Sequence, residues 1–276
     1  MSVDSTRYRY FVLTAGRTGS TLLAAILADA GADFAMPAPE EWDTARGGVV
    51  ALPEIRRATN HFRLAFDRST SKPPMPPARW IWGWHRSLGK RLLKQALDRA
   101  VFVKANDLDL AIPFAIKIGY FPRLIVSYRE FDAHVLSASQ MLINWSIEAM
   151  AKDYDRSYRN AVLQLHAYGG CVVHYDDLVD ASRTDWARSL AEVTGLSADA
   201  LLASRARRAR SGRREEALLP VLYESVERTF AAVDALSGRA LPPSPQALRN
   251  WAQRVRSPLP PAGRSLHRAR PAKAAE

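Results

Sequence analysis

Four short apolar runs stand out along the chain: Tyr10–Leu13, Val101–Val103, Leu124–Ser127 and Cys171–Val173. Each is rich in β-branched or aromatic residues and gives way to polar or helix-patterned sequence, the signature of buried strands. After the first run Leu22, Leu23, Ile26, Leu27 and Ala30 recur at the three-to-four spacing of one buried helix face. Further helical periodicity covers about Ser87–Ala100, His134–Met150, Tyr154–Tyr168, residues 184–195 and residues 215–237. Strands alternating with helices predict an α/β fold, a doubly wound parallel sheet flanked by helices, with ligands beyond the carboxyl ends of the strands.

Residues 42–100 form a long insertion after the first βα unit, containing Lys72-Pro-Pro-Met-Pro-Pro77 and then Trp80, Trp82 and Trp84. A segment of this length reads either as a substrate-covering lobe or as tryptophans closing a satellite core. From Leu241 the sequence is rich in Pro, Arg and Ala with weak periodicity. The expected organisation is therefore one α/β domain over 1–240 and a basic, partly disordered tail over 241–276, with poor order expected after about residue 257.

The break after the first strand, Gly16-Arg-Thr-Gly-Ser-Thr21, changes the picture from fold to chemistry. A turn entering a helix N-terminus collects free backbone N–H groups and the positive end of the helix dipole. Gly16 and Gly19 let the backbone approach an anion, while Arg17, Ser20 and Thr21 add donors.

Composition narrows the classes. The chain has 276 residues, 47% of them hydrophobic, but no apolar stretch long enough to span a bilayer and no signal-like run before the first strand. A single cysteine, Cys171, in an apolar run reads as a core residue in a reducing compartment, so a cytoplasmic location is expected. The net charge of +11 is concentrated in the tail and in the six arginines of Arg205–Arg214. Such runs can bind nucleic acid or a membrane surface, but a solvated face is the commoner explanation, and no stable nucleic-acid partner is expected from them.

The third apolar run ends in a second segment, Leu124-Ile-Val-Ser-Tyr-Arg129 through Ser137. An arginine at a strand end is a poor core residue and a good anion clamp, and Ser137 lies on the first turns of the following helix. With Thr14–Leu23 and Val173-His-Tyr-Asp-Asp-Leu-Val179, these segments resemble sulfotransferases that use 3′-phosphoadenosine-5′-phosphosulfate (PAPS). The resemblance spans about residues 8–215, and its motifs are nearest to those of bacterial carbohydrate sulfotransferases of the trehalose type. It implies a P-loop-like fold, PAPS as donor and no required metal. It also implies a carbohydrate, lipid or small-molecule acceptor, and a homodimer.

Carried over residue by residue, the resemblance gives Gly16, Arg17, Thr18, Gly19, Ser20 and Thr21 to the 5′-phosphate. Arg129 and Ser137 go to the 3′-phosphate, with Arg213 as a looser third contact. Pro39-Glu-Glu-Trp42 matches a segment whose second glutamate is the proposed base, making Glu41 the catalytic candidate beside Arg17, with Glu40 and Asp107 as alternatives. There are departures from the family pattern. Phe131 stands where proline is usual, Asn106 where the cytosolic branch has its histidine, and the glycine-tryptophan segment of that branch is missing. The six histidines show no zinc-ligand spacing. Two other readings remain open at this point: a P-loop kinase or NTPase, and a non-enzymatic polyanion-binding protein.

Overall fold

The computed structural model describes residues 7–37, 51–70, 76–140, 145–208 and 223–256, with 67–70, 76–81 and 256 described by backbone only. Its centre is a five-stranded sheet of order β2-β1-β3-β4-β5. The strands are β1 (Tyr8–Leu13), β2 (Phe102–Lys104), β3 (Phe121–Tyr128), β4 (Gly170–His174) and β5 (Ala240–Leu241). The first four run parallel, and β5 closes the edge antiparallel to β4. The predicted runs fall inside the first four strands, except that Val101 precedes β2.

Both faces of the sheet are covered, which is why its strands read as near-continuous apolar runs. Val12, Phe102, Ile125, Cys171 and Val173 point to α1 (Ser20–Asp29), α8 (Asp185–Thr194) and α9 (Ala198–Arg208). Phe11, Leu13, Val103, Leu124, Val126 and Val172 point to the opposite layer. That layer holds α2 (Pro53–Thr70), α3 (Pro76–Arg99), α4 (Ile112–Lys117), α5 (Phe131–Ser139), α6 (Ile147–Tyr168) and α10 (Glu224–Asp234). A short helix, α7 (Tyr175–Val179), follows β4 directly. Cys171 is fully buried and its thiol is pushed up to about 12 by that burial, so it is a core residue.

Three expectations need correction. Over its described residues the 42–100 insertion is mostly a helical hairpin, α2 packed on α3, and α3 begins at Pro76 rather than Ser87. Proline is suited to a first helical turn, where its missing N–H has no partner to lose. Trp82 and Trp84 therefore lie on a helix, and Trp84 is 58% exposed rather than closing a core. Gly89 lets the hairpin close: a Cβ there would sit 2.6 Å from the Phe62 ring, which stacks on Phe114.

The helix expected over His134–Met150 is two, because Ser146 caps a new one by accepting the Ala149 N–H at 3.1 Å. And 245–256 of the presumed tail is α11 (Pro245–Arg256), anchored by buried Trp251, which packs on Phe121 and donates to the Gly119 carbonyl. Residues 257–276 lie outside the described residues. No helix among the described residues is long and apolar enough to cross a membrane.

Candidate functional site

From β1 the chain moves outward to β2 and then returns to the other side of β1 to form β3, so strand order reverses between β1 and β3. Crevices at such reversals are where open α/β sheets hold ligands. The Gly16–Thr21 turn leaves the carboxyl end of β1 and Arg129 leaves that of β3, so topology alone brings the two motifs together.

The turn is built from left-handed residues: Gly16 at φ 84°, Arg17 at φ 50° and Gly19 at φ 73°. A left-handed residue beside a right-handed one aims neighbouring backbone N–H groups at a common point. At Gly19 only glycine fits twice over, since a Cβ would also lie 2.3 Å from the Tyr175 ring. The α1 N-terminus that follows has neither a side-chain cap nor an acidic residue in its first turn, leaving its N–H groups for an anion.

Two carbonyls of the turn are fastened by side chains. Ser127 Oγ donates to the Thr18 carbonyl at 2.6 Å, and His134 Nδ1 lies 3.0 Å from the Gly16 carbonyl. The Gly16 N–H goes to Thr14 Oγ1 at 2.9 Å, and the Thr18 hydroxyl is buried against Thr14 and Ser127. Gly16 thus shapes the turn without donating to a ligand, and Thr18 has only its N–H to offer.

Three cations surround this cradle. Arg17 Nε donates to Ser137 Oγ at 3.2 Å, joining the two predicted motifs through side chains. The Arg129 guanidinium lies 4.4 Å over the Tyr175 ring, and its Nε is buried with no hydrogen-bond partner. Lys104, at the end of β2, is buried and donates to Thr21 Oγ1 at 3.2 Å. Among the described residues none of the three forms an ion pair.

In two of them the neighbouring cations add to the effect of burial. Burial, then Arg17, brings the Lys104 ammonium down to about 8, and burial, then Arg129, lowers Arg17. An anion bound in this sheltered crevice would relieve both shifts. Lys104 is not among the candidates read from the sequence. Its signal was a lysine closing the apolar run Phe102-Val103, as unsuited to a core as Arg129 is. Tyr175, which covers Gly19 and carries Arg129, was likewise passed over within the 173–179 motif.

Of the acidic candidates, Glu40 and Glu41 lie outside the described residues, as does Arg213. Asp107 is described and is already engaged: Arg156 Nη2 sits 2.5 Å from its carboxylate and Arg63 Nη1 3.6 Å. Arg156 also holds Asp109, whose carboxyl burial pushes up to about 6. This network braces the loop that sets Asn106 against Gly16, and the candidacy of Asp107 as a base is correspondingly weaker.

The fold does gather one potential metal set that the histidine spacing did not suggest, Glu130, His174 and Asp176. His174 Nδ1 accepts the Asp176 backbone N–H at 3.2 Å, so the proton of the neutral ring is on Nε2, which faces Glu130 at 3.4 Å. As placed, the imidazole offers no lone pair to a cation, and the set does not fit a metal.

The Arg205–Arg214 cluster divides. Arg205 is buried and donates to the carbonyls of Asp180, Ala181 and Arg183. Arg208 makes a two-pronged pair with Asp29 at 2.6 and 2.7 Å, alongside Ser204. Residues 209–222 lie outside the described residues. Comparison of the chain with protein-family models, with curated proteins and with solved structures finds no match.

Proposed function

We propose that this chain is a PAPS-dependent sulfotransferase with a P-loop-like nucleotide cradle. The observation that carries the reading is the convergence of Arg17, Lys104 and Arg129, without counter-ions among the described residues, on an uncapped helix N-terminus where strand order reverses. The donor supplies an activated sulfuryl group. In the transfer an acceptor hydroxyl or amine forms a bond to sulfur, the bond from sulfur to the bridging oxygen breaks, and adenosine 3′,5′-bisphosphate leaves.

The N–H groups from Thr18 to Thr21 hold the 5′-phosphate, with Lys104 and Arg17 neutralising charge that develops at the bridging oxygen. Arg129 and Ser137 hold the 3′-phosphate and so distinguish this donor from ATP. Glu41 takes the acceptor's proton. The acceptor is a carbohydrate, lipid or small molecule, and the working form a cytoplasmic homodimer.

A magnesium-nucleotide enzyme would use a hydroxyl of the first α1 turn as a metal ligand. Here the Thr21 hydroxyl already accepts from the Lys104 ammonium, which counts against that reading. A polyanion-binding protein loses support from the internal engagement of Arg205 and Arg208. The test is calorimetric titration with adenosine 3′,5′-bisphosphate and with ADP, for the wild type and Arg129→Ala. The expected result is binding that needs both the 3′-phosphate and Arg129. Equal affinity for the two nucleotides, or none for either, sinks the proposal.

A further inference from the structure

His134 is buried between the rings of Phe131 and Tyr154, touches both halves of the crevice, and has no part in the scheme above. Its Nδ1 lies 3.0 Å from the carbonyl oxygen of Gly16. A carbonyl only accepts, so Nδ1 must carry a proton, and this contact fixes the tautomer of the neutral ring. Burial above all keeps the ring neutral, bringing its titration down to about 4 against the opposing pull of the Gly16 carbonyl and Asp153, with Arg17 and Arg129 adding smaller contributions.

The bonded peptide is the strained one. Arg17 is a non-glycine residue at φ 50°, and turning the Gly16–Arg17 peptide over would take rotation about only its two neighbouring dihedrals. A flip would return Arg17 to ordinary negative φ, turn the Gly16 carbonyl toward the anion cradle and take the Arg17 N–H out of it. The hydrogen bond from His134 opposes this, because a flipped carbonyl would leave the buried Nδ1–H unpaired. One helical turn later on α5, Ser137 receives the Arg17 side chain, so the helix grips the turn at both its backbone and its side chain.

We infer that His134 is a latch: its Nδ1–H holds the Gly16–Arg17 peptide in the orientation that presents N–H groups to an anion. It is a positioning residue, acting through the turn rather than on the ligand. The inference rests on the reading of the turn as an anion cradle, and its test separates the two.

In ¹⁵N-labelled protein without ligand, the His134 ring should show protonation at Nδ1 near neutral pH. Titrations with adenosine 3′,5′-bisphosphate and with inorganic pyrophosphate should weaken at least about tenfold in His134→Leu. Affinity should stay within about threefold of the wild type in His134→Asn, whose amide N–H takes the place of Nδ1–H. A merely structural role would not be rescued by asparagine, which fills the ring's space poorly. Protonation at Nε2 overturns the latch, as does wild-type affinity in His134→Leu. So does a loss in His134→Asn as large as in His134→Leu. If the wild type binds neither probe, the functional reading falls while the ring's tautomer still decides the latch. Should His134→Leu fail to fold, the asparagine variant and the tautomer decide it.

Discussion

Arg205 and Arg208, in the last turns of α9, and Arg17, Lys104 and Arg129, around the Gly16–Thr21 turn, are cations of one chain held in opposite ways. At α9 each charge has its partner: three backbone carbonyls for Arg205, and a carboxylate and its neighbouring serine around Arg208. At the turn the charges meet hydroxyls, an aromatic face and one another. Burying a cation costs free energy unless something compensates it. Compensation at α9 is internal and the arginines serve the fold. Around the turn it is missing among the described residues, and the shortfall is what a bound anion would supply. The densest run of arginines in the sequence is thus in part a clasp, while the candidate site is marked by cations scattered over three strand ends.

The sharpest way to break this contrast is at Gly19. Gly19→Ala puts a Cβ on a left-handed residue and into the Tyr175 ring, which must swing away and take its contact with Arg129 along. Affinity for adenosine 3′,5′-bisphosphate, read by calorimetry, should fall by about a hundredfold or more while the far-ultraviolet dichroism of the sheet and helices persists.

Lys104→Met should come next, with binding and stability moving in opposite directions. The ammonium's folded value of about 8 lies below the ordinary lysine value, so the folded state is penalised below pH 8 and the penalty fades as pH rises from there. Removing the group should raise stability at pH 7 by ~2 kcal/mol and weaken bisphosphate binding about thirtyfold. The melting temperature and the titration check the two halves separately, and a variant that loses both would place Lys104 with the structural cations.

A gentler probe needs no mutation. Arginines stay charged across the accessible range, so between pH 7 and pH 9 Lys104 is the described cation of the crevice that loses charge. Bisphosphate affinity should fall over that interval by up to about tenfold, since one proton bound per site sets the limiting slope. In Lys104→Met the fall should vanish.

How far the sequence led follows from the same physics. The parallel sheet was legible because strands buried on both faces are apolar throughout, and the turn because glycines beside an arginine break such a run abruptly. The α2–α3 hairpin was missed in part because its prolines and tryptophans read as loop and satellite core, although Pro76 is a helix starter. Helix α11 was missed because its tertiary anchor, Trp251, is one residue in a polar, arginine-rich stretch. His134 was hidden for another reason: its contact with the turn is with Gly16, far away in the chain, and local periodicity carries no trace of such a pair.

The smallest expected effect on binding is the other arm of the comparison. In Arg208→Ala the Asp29 carboxylate loses the partner that chiefly holds its titration below the usual carboxylate range, with Ser204 contributing less and burial opposing. A depressed folded value means stability that is present above the unfolded value and lost as pH falls through the folded one. The variant should therefore unfold more readily at neutral pH, by ~1–2 kcal/mol in denaturant titration, and the difference from the wild type should shrink in acid. Its affinity for adenosine 3′,5′-bisphosphate should stay within about twofold of the wild type, because Arg208 spends its charge on Asp29. A large loss of affinity without loss of stability would move Arg208 from the clasp to the ligand. The distinction between paired and unpaired cations would then no longer tell fold from site in this chain.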